Sequence, residues 1–148
     1  MPAFWIHPHQ VLAEDIDRQG HVNNLRYLHW MIDAAVAHSS AQGWDTDRYV
    51  QEGASWVVRS HWIEYRQPCF EGEEIEVTTW VANMVKIRSL RKYRITRKSD
   101  DALLAVAKTN WVFVGTEHQV PRRIPEPLAH AFTLVSGENE VREFGEEI

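Results

Sequence analysis

The chain has 148 residues and a net charge of −5, with 44% hydrophobic and 25% charged residues. This balance suits one globular domain and argues against a disordered chain or a basic nucleic-acid-binding surface. A single cysteine excludes an internal disulfide, and no apolar run is long enough to cross a membrane. Because no signal peptide is recognisable, we expect a cytoplasmic protein.

The first two predicted elements are a strand and a long helix. The strand covers residues 3–14 and contains an edge-type proline, Pro8. The helix covers residues 23–42, with Asn23 as its N-cap and Gly43 just beyond its end. Apolar or small residues surround much of this helix, which predicts that it is buried.

A short helix and four strands follow. The helix is predicted near residues 46–52. The strands are rich in β-branched and aromatic residues and cover about residues 55–67, 73–83, 86–98 and 102–117. This order indicates an α+β fold in which a sheet wraps around the long helix. Residues 1–135 are predicted to form one domain, and the polar tail, residues 136–148, is expected to fray.

The segment DIDRQGHVNN, residues 15–24, places many polar residues directly before the long helix. A helix N-terminus offers unpaired N–H groups and a partial positive charge, which stabilise the oxyanion formed in acyl transfer. Asp17 lies six residues before Asn23, on a loop that Gly20 allows to turn sharply. Its carboxylate could attack a carbonyl or deprotonate a water, as hydrolysis of a thioester requires.

The same residue types also have structural explanations. Aspartate and asparagine before a helix are common caps and turn formers, and His21 alone could be a hydrogen-bonded structural residue. Cys69 could suggest a Cys–His nucleophile, but a lone cysteine beside Pro68 is more typical of inert packing. His7 and His9 have the spacing of metal ligands on one strand face, but no third ligand is evident. We therefore expect no metal and no cofactor.

The pattern D-x-D-x-x-G-H-V-N-N-x-x-Y, from Asp15 to Tyr27, resembles the hotdog-fold thioesterases. The 4-hydroxybenzoyl-CoA thioesterase-like and acyl-carrier-protein thioesterase branches are the most similar. Residues 64–81 and 122–128 resemble the hairpin and the closing segment of this family, and the resemblance spans about residues 5–132. It implies a hotdog fold, with a five-stranded antiparallel sheet around one long central helix. It also implies that a homodimer or homotetramer hydrolyses an acyl thioester at sites between subunits.

The resemblance assigns roles to individual residues. Asp17 matches the catalytic carboxylate of the family, and the backbone N–H of Asn24 matches its oxyanion donor. His21 matches the histidine of the plant acyl-carrier-protein enzymes, whereas Gln19 replaces their asparagine and could still orient a water. Asp15 is assigned to the turn rather than to the chemistry.

A surface for the substrate is predicted from the charge pattern. The segment KIRSLRKYRITRK, residues 86–98, holds seven basic residues and no acidic one, and most of the basic residues fall on even positions. On a strand these positions share one face, which could be solvated or could bind coenzyme A phosphates or an acidic acyl-carrier protein. The predicted substrate-binding residues are Asn23, Tyr27, Lys92, Arg94, Arg122 and Arg123.

Two alternatives to a thioesterase stay open. A hotdog dehydratase would act on a hydroxyacyl thioester with a histidine and an acid. A non-catalytic hotdog protein would only bind acyl groups, since a fold does not fix a function. The DxDxxGHVNN arrangement favours the thioesterase, acting on a thioester of either coenzyme A or an acyl-carrier protein.

Overall fold

The computed structural model describes residues 3–148, so the first two residues of the predicted domain lie outside it. The strands are β1 (Trp5–Gln10), β2 (Ala54–Tyr65), β3 (Glu74–Val85), β4 (Arg88–Arg97) and β5 (Leu103–Gly115). The helices are α1 (Asn24–Ala41), α2 (Thr46–Glu52), α3 (Glu126–Ala129) and α4 (Gly137–Phe144). The strands form one antiparallel sheet in the order β1-β3-β4-β5-β2. This sheet wraps around α1, which confirms the predicted α+β architecture.

The helix α1 has the predicted caps. The Asn23 side-chain oxygen accepts a hydrogen bond from the Leu25 N–H at 3.0 Å, which satisfies one of the unpaired donors of the first turn. At the other end, Gly43 has a φ of 92°, a left-handed conformation that glycine adopts at low cost. The buried Trp44 follows directly and packs at the edge of the core.

One side of α1 packs on the inner face of the sheet. Met31 and Ala34 are completely buried there, and the small Ala34 side chain permits close approach of the strands. The opposite side of α1 is not buried, because Leu25 is 62% and Val36 55% exposed. The prediction that α1 is buried is therefore only half right, because one apolar flank of the helix is exposed in the single chain.

The two edge strands differ in length and character. β1 is shorter than predicted and carries Pro8, which suits an edge, and a 3-10 turn over Ala13–Asp15 follows it. β2 has 12 residues and pairs with β5, and its other edge is unpaired within residues 3–148. A register shift between Val58 and Ser60 bends this strand. Large apolar side chains lie exposed along β2, and an edge of this kind favours pairing with another strand.

The C-terminal segment is ordered, so the predicted fraying of residues 136–148 is wrong. The Ser136 side chain caps α4, which lies on the outer face of the sheet. There the Glu140 carboxylate is fully buried and accepts a hydrogen bond from Lys92 Nζ at 2.6 Å. The Phe144 ring stacks on Trp80 with 5.0 Å between ring centroids. No helix in the described part of the chain has the length and apolarity needed to cross a membrane.

Candidate active site

Residues 15–24 form a compact turn that leads directly into α1. An isolated bridge pairs Ile16 with Val22, and the Asp17 N–H donates to the His21 carbonyl at 2.7 Å. Gly20 closes the turn with a φ of 81°, and its N–H donates to the Asp17 carbonyl at 3.1 Å. The turn therefore holds Asp17 in a defined position just before the start of the helix.

The Asp17 carboxylate is exposed and only partly used by the turn. Its Oδ1 atom accepts hydrogen bonds from the backbone N–H groups of Gln19 at 2.9 Å and His21 at 3.1 Å. The Oδ2 atom has no hydrogen-bond partner within residues 3–148. One oxygen thus orients the carboxylate, and the other is available to a water or to a substrate carbonyl.

The start of α1 supplies a free backbone donor. No acceptor for the Asn24 N–H occurs among residues 3–148. The Asn24 carbonyl accepts a hydrogen bond from the Tyr65 hydroxyl at 3.2 Å, which connects the helix start to the end of β2. An unpaired N–H at a helix N-terminus is suited to an oxyanion, because it points along the axis of the helix dipole.

Asp15 differs from Asp17 in that its carboxylate is buried and both of its oxygens face partners within the protein. Its Oδ2 atom accepts a hydrogen bond from the Leu12 N–H at 2.8 Å and lies 3.1 Å from His9 Nε2. The Arg26 guanidinium lies 3.6 Å from Oδ1. These contacts assign Asp15 and His9 to the scaffold of the turn.

A cavity of about 350 Å³ opens beside the helix start. We refer to it as the helix-start cavity, and its lining includes His21, Asn24, Tyr27, Tyr65, Arg66 and Cys69. The structure thus brings together three residues of the predicted site. Tyr65 and Arg66 were missed, because no local pattern indicates that the end of β2 lies beside the start of α1.

Cys69 has the properties of a packed thiol rather than a nucleophile. Its Sγ atom lies 3.3 Å from the Tyr27 hydroxyl, and both side chains are buried. Burial raises the pKa of the Cys69 thiol, and burial likewise raises the pKa of the Tyr27 hydroxyl. At neutral pH the thiol is therefore protonated, which agrees with rejection of a Cys–His nucleophile.

Four predicted substrate-binding residues lie away from this cavity. Lys92 and Arg94 are on the outer face of the sheet, where Glu140 pairs with Lys92 and the Glu146 carboxylate lies 3.2 Å from Arg94 Nη1. The basic face of β4 is therefore neither solvated nor free for a ligand at Lys92 and Arg94, because the C-terminal segment covers it.

The two arginines after β5 lie at the other end of the sheet. Arg122 donates to the Glu52 carboxylate at 2.6 Å, and its backbone N–H pairs with Phe113 near the end of β5. Arg123 is exposed beside it. Within one subunit the structure thus separates this pair from Asp17, which lies near the start of β5.

A larger cavity of about 510 Å³ lies between the second half of α1, α2 and the start of β2. We refer to it as the large cavity, and aromatic residues dominate its walls: Trp44, Tyr49, Trp56, Trp111 and Phe132. Arg91, on the inner face of β4, also lines it and is only 6% exposed. Its Nη1 atom donates hydrogen bonds to His38 Nδ1 at 2.9 Å and Thr79 Oγ1 at 3.1 Å.

The histidine beside Arg91 is neutral. Burial, together with the nearby positive charge of Arg91, lowers the pKa of His38 to about 3. Its ring stacks on Trp5 with an interplanar angle of 9°. Since His38 accepts the Arg91 hydrogen bond through Nδ1, its proton resides on Nε2.

Comparison with known proteins identifies the family and supports the fold. A family model described as the Thioesterase-like superfamily matches residues 11–132. No functionally curated protein matches the sequence significantly.

Solved structures share the fold at low sequence identity. A DHNA-CoA thioesterase from Staphylococcus aureus has 21% identity and a TM-score of 0.80, over 98% of this chain and 97% of that chain. A 1,4-dihydroxy-2-naphthoyl-CoA thioesterase from Synechocystis has 20% identity and a TM-score of 0.79, over 86% and 94%. An acyl-ACP thioesterase from Bacteroides thetaiotaomicron has 18% identity and a TM-score of 0.75, over 82% of this chain and 50% of that chain. These similarities confirm the hotdog fold.

Proposed function

Because the chain belongs to the thioesterase-like superfamily, we propose that it hydrolyses an acyl thioester to a free acid and a thiol. One observation carries the proposal. A turn-held carboxylate, Asp17, retains a free oxygen just before a helix whose first N–H, that of Asn24, is unpaired. A carboxylate and an oxyanion donor are the two groups that hydrolysis of an activated acyl group needs.

In the proposed reaction, Asp17 Oδ2 either attacks the thioester carbonyl or deprotonates a water that attacks it. In the first route the thiolate leaves an acyl–aspartyl anhydride, which a water then hydrolyses to the free acid. The Asn24 N–H stabilises the negative charge that develops on the carbonyl oxygen. The thiolate leaves without an acid, because thiols are much stronger acids than alcohols. Asn23 fixes the helix start, and Gln19 and His21 flank the carboxylate and orient the water or the substrate.

We propose that the active form is a homodimer joined through the free edges of two β2 strands. The exposed Val58, Trp62 and Tyr65 side chains on β2 would then be covered, and the unpaired backbone groups would be satisfied. A twofold axis near the middle of β2 makes the strands antiparallel. Residues 54–56 of one subunit then lie beside Tyr65 of the partner subunit.

This arrangement would bring the two cavities together. The large cavity borders residues 54–56, and the helix-start cavity borders Tyr65. Across a β2–β2 interface, the large cavity of one subunit therefore adjoins the Asp17 turn of its partner. Arg122 and Arg123 lie at the same end of the sheet as the large cavity and approach that site. The exposed Arg123 is positioned for the carrier phosphates, and Arg122 would have to exchange its Glu52 partner to join it.

A panel of acyl-CoA thioesters tests the proposed activity against both alternatives. A thioesterase releases free thiol, which a chromogenic disulfide reagent detects. A dehydratase changes the absorbance of a hydroxyacyl thioester without releasing thiol, and a binding protein does neither. Thiol release from at least one ester supports the proposal, and its absence across CoA and acyl-carrier-protein esters contradicts it.

A further inference from the structure

The large cavity contains a buried positive charge that the protein does not neutralise. No carboxylate of residues 3–148 forms an ion pair with Arg91. Its two hydrogen-bond partners, His38 and Thr79, are both uncharged, and both bonds use Nη1. The Nε and Nη2 groups have no acceptor among residues 3–148.

The polar side chains on the α2 side of this cavity are already satisfied, whereas the buried Trp111 indole N–H has no acceptor among residues 3–148. The Trp56 indole N–H donates to the Tyr49 hydroxyl at 3.0 Å, and that hydroxyl lies 2.9 Å from Ser39 Oγ. Ser39 Oγ in turn donates to the Trp44 carbonyl at 2.8 Å. This chain of hydrogen bonds needs no ligand, whereas Arg91 retains both spare donors. The Phe132 ring, whose centroid lies 5.5 Å from the guanidinium carbon, faces the charge but does not neutralise it.

A buried, unpaired charge is costly, and arginine cannot avoid the cost by losing its proton. Proteins pair such charges, usually with a carboxylate, and the guanidinium fork can donate two parallel hydrogen bonds to one carboxylate. A cavity with aromatic walls and a single buried guanidinium is therefore complementary to an apolar chain that ends in an anion.

We propose that the large cavity binds the acyl part of the thioester and that Arg91 pairs with a carboxylate at the far end of that acyl group. This inference rests on the proposed thioesterase function and specifies its substrate class, the thioesters of dicarboxylic acids. The thioester end lies at the Asp17 turn of the partner subunit, and the carboxylate end lies between α1 and β4. Arg91 thus determines specificity and takes no part in bond cleavage.

The test compares matched pairs of esters: succinyl-, glutaryl-, adipyl- and suberyl-CoA against butyryl-, pentanoyl-, hexanoyl- and octanoyl-CoA. At the preferred length, we expect wild-type kcat/KM to be at least about tenfold higher for the carboxylated ester, as a charge-assisted hydrogen bond would give. The measured quantity is the ratio of the two kcat/KM values. Both esters carry coenzyme A, so its contribution to binding cancels in this ratio.

Two variants separate a specificity role from a structural one. In Arg91→Gln the ratio should fall to about one or below, since a neutral amide no longer favours the carboxylate. Arg88→Gln, an exposed position on the same strand, should keep the wild-type ratio. A wild-type ratio near one at every length, or an equal loss on both esters in Arg91→Gln, would overturn the proposal.

Direct binding distinguishes failure of the site from failure of the activity. Calorimetry with wild-type protein compares free hexanoate with hexanamide, a neutral compound of the same length, and needs no turnover or variant. Tighter binding of hexanoate supports the anion site even if no ester is hydrolysed, in which case only the thioesterase function fails. Equal or weaker binding of hexanoate overturns the anion site, even if both esters are hydrolysed.

Discussion

Asp15 and Asp17 show how surroundings assign different tasks to the same residue type. Asp15 is 3% exposed, and both of its carboxylate oxygens contact the scaffold. Asp17 is exposed and uses one oxygen to hold its own turn. A buried carboxylate whose oxygens both contact protein groups stabilises structure, whereas a fixed carboxylate with a free oxygen can act on a substrate.

Cys69 provides a test of the nucleophile at the residue scale. Cys69→Ala should leave thioester turnover close to that of the wild type, because burial and a raised pKa keep the thiol protonated and unreactive. Steady-state kcat and KM measure this effect. A loss of activity in correctly folded Cys69→Ala would point instead to a covalent Cys–His mechanism.

The neutral His38 predicts an acid-sensitive fold. In the unfolded chain this histidine binds a proton below about pH 6.5, whereas in the folded protein it stays neutral to about pH 3. The unfolded state therefore binds more protons within this window, so stability falls as the pH falls, by about 1.4 kcal/mol per pH unit from this group. Urea unfolding between pH 7 and pH 4 should show a smaller decrease in His38→Gln than in the wild type. Parallel decreases would contradict a buried, neutral His38.

At the scale of elements, the sequence predicted what local periodicity and capping determine. α1 lies within one residue of its predicted limits because Asn23 and Gly43 mark its ends, and α2 matches residues 46–52. The hairpin strands were recognisable from β-branched residues and turns. α4 was missed because its eight residues are mostly polar, and its order comes from tertiary contacts such as that of Phe144 with Trp80.

The alternation of side chains between the two faces of β4 was predicted correctly, but the surroundings of each face were not. Lys92 and Arg94 do share a face, yet that face is covered by the C-terminal segment. Arg91, on the opposite face, points towards α1 and lines the large cavity. Most basic residues of this segment have even numbers, whereas Arg91 has an odd one. This difference was the available signal that Arg91 faces the helix. The cavity itself was not predictable, because α1, α2 and β2 build it together.

The ion pair under α4 should be important for stability. Glu140→Gln leaves the Lys92 ammonium, 5% exposed, without its carboxylate partner and with the Ile148 main-chain oxygen at 2.8 Å, and should cost about 3–5 kcal/mol. The double variant Lys92→Met, Glu140→Leu should recover most of this loss, because it removes both buried charges. Chemical denaturation of the wild type and both variants measures the effect. A Glu140→Gln loss below about 1 kcal/mol would mean that α4 does not bury this pair in solution.

At the scale of the whole molecule, one subunit separates the parts that a thioesterase must combine. The Asp17 turn lies near one end of β2, and the large cavity lies near the other. In the dimer that we propose, pairing of two β2 strands around a twofold axis would bring these parts together.

Light scattering tests this assembly. We expect a dimer or a larger oligomer at micromolar concentration, and the double variant Val58→Asp, Trp62→Asp should shift it to a monomer with little activity. Charges placed along the joined edge repel each other and cannot be buried. Val141→Asp, an exposed apolar position on α4, is the matched control and should stay oligomeric and active. A fully active wild-type monomer would contradict the shared site.

The most direct test of the central claim is the turnover of Asp17→Asn on the best acyl-CoA ester, measured as kcat. This change keeps the acceptor that holds the turn but removes the charge and basicity of the carboxylate. We predict a loss of about 10²–10⁴-fold in turnover with unchanged thermal stability. Asp101→Asn, in the exposed turn after β4, should keep wild-type turnover. An Asp17→Asn variant that hydrolyses the ester as fast as the wild type would show that the DIDRQGHVNN turn is not the active site.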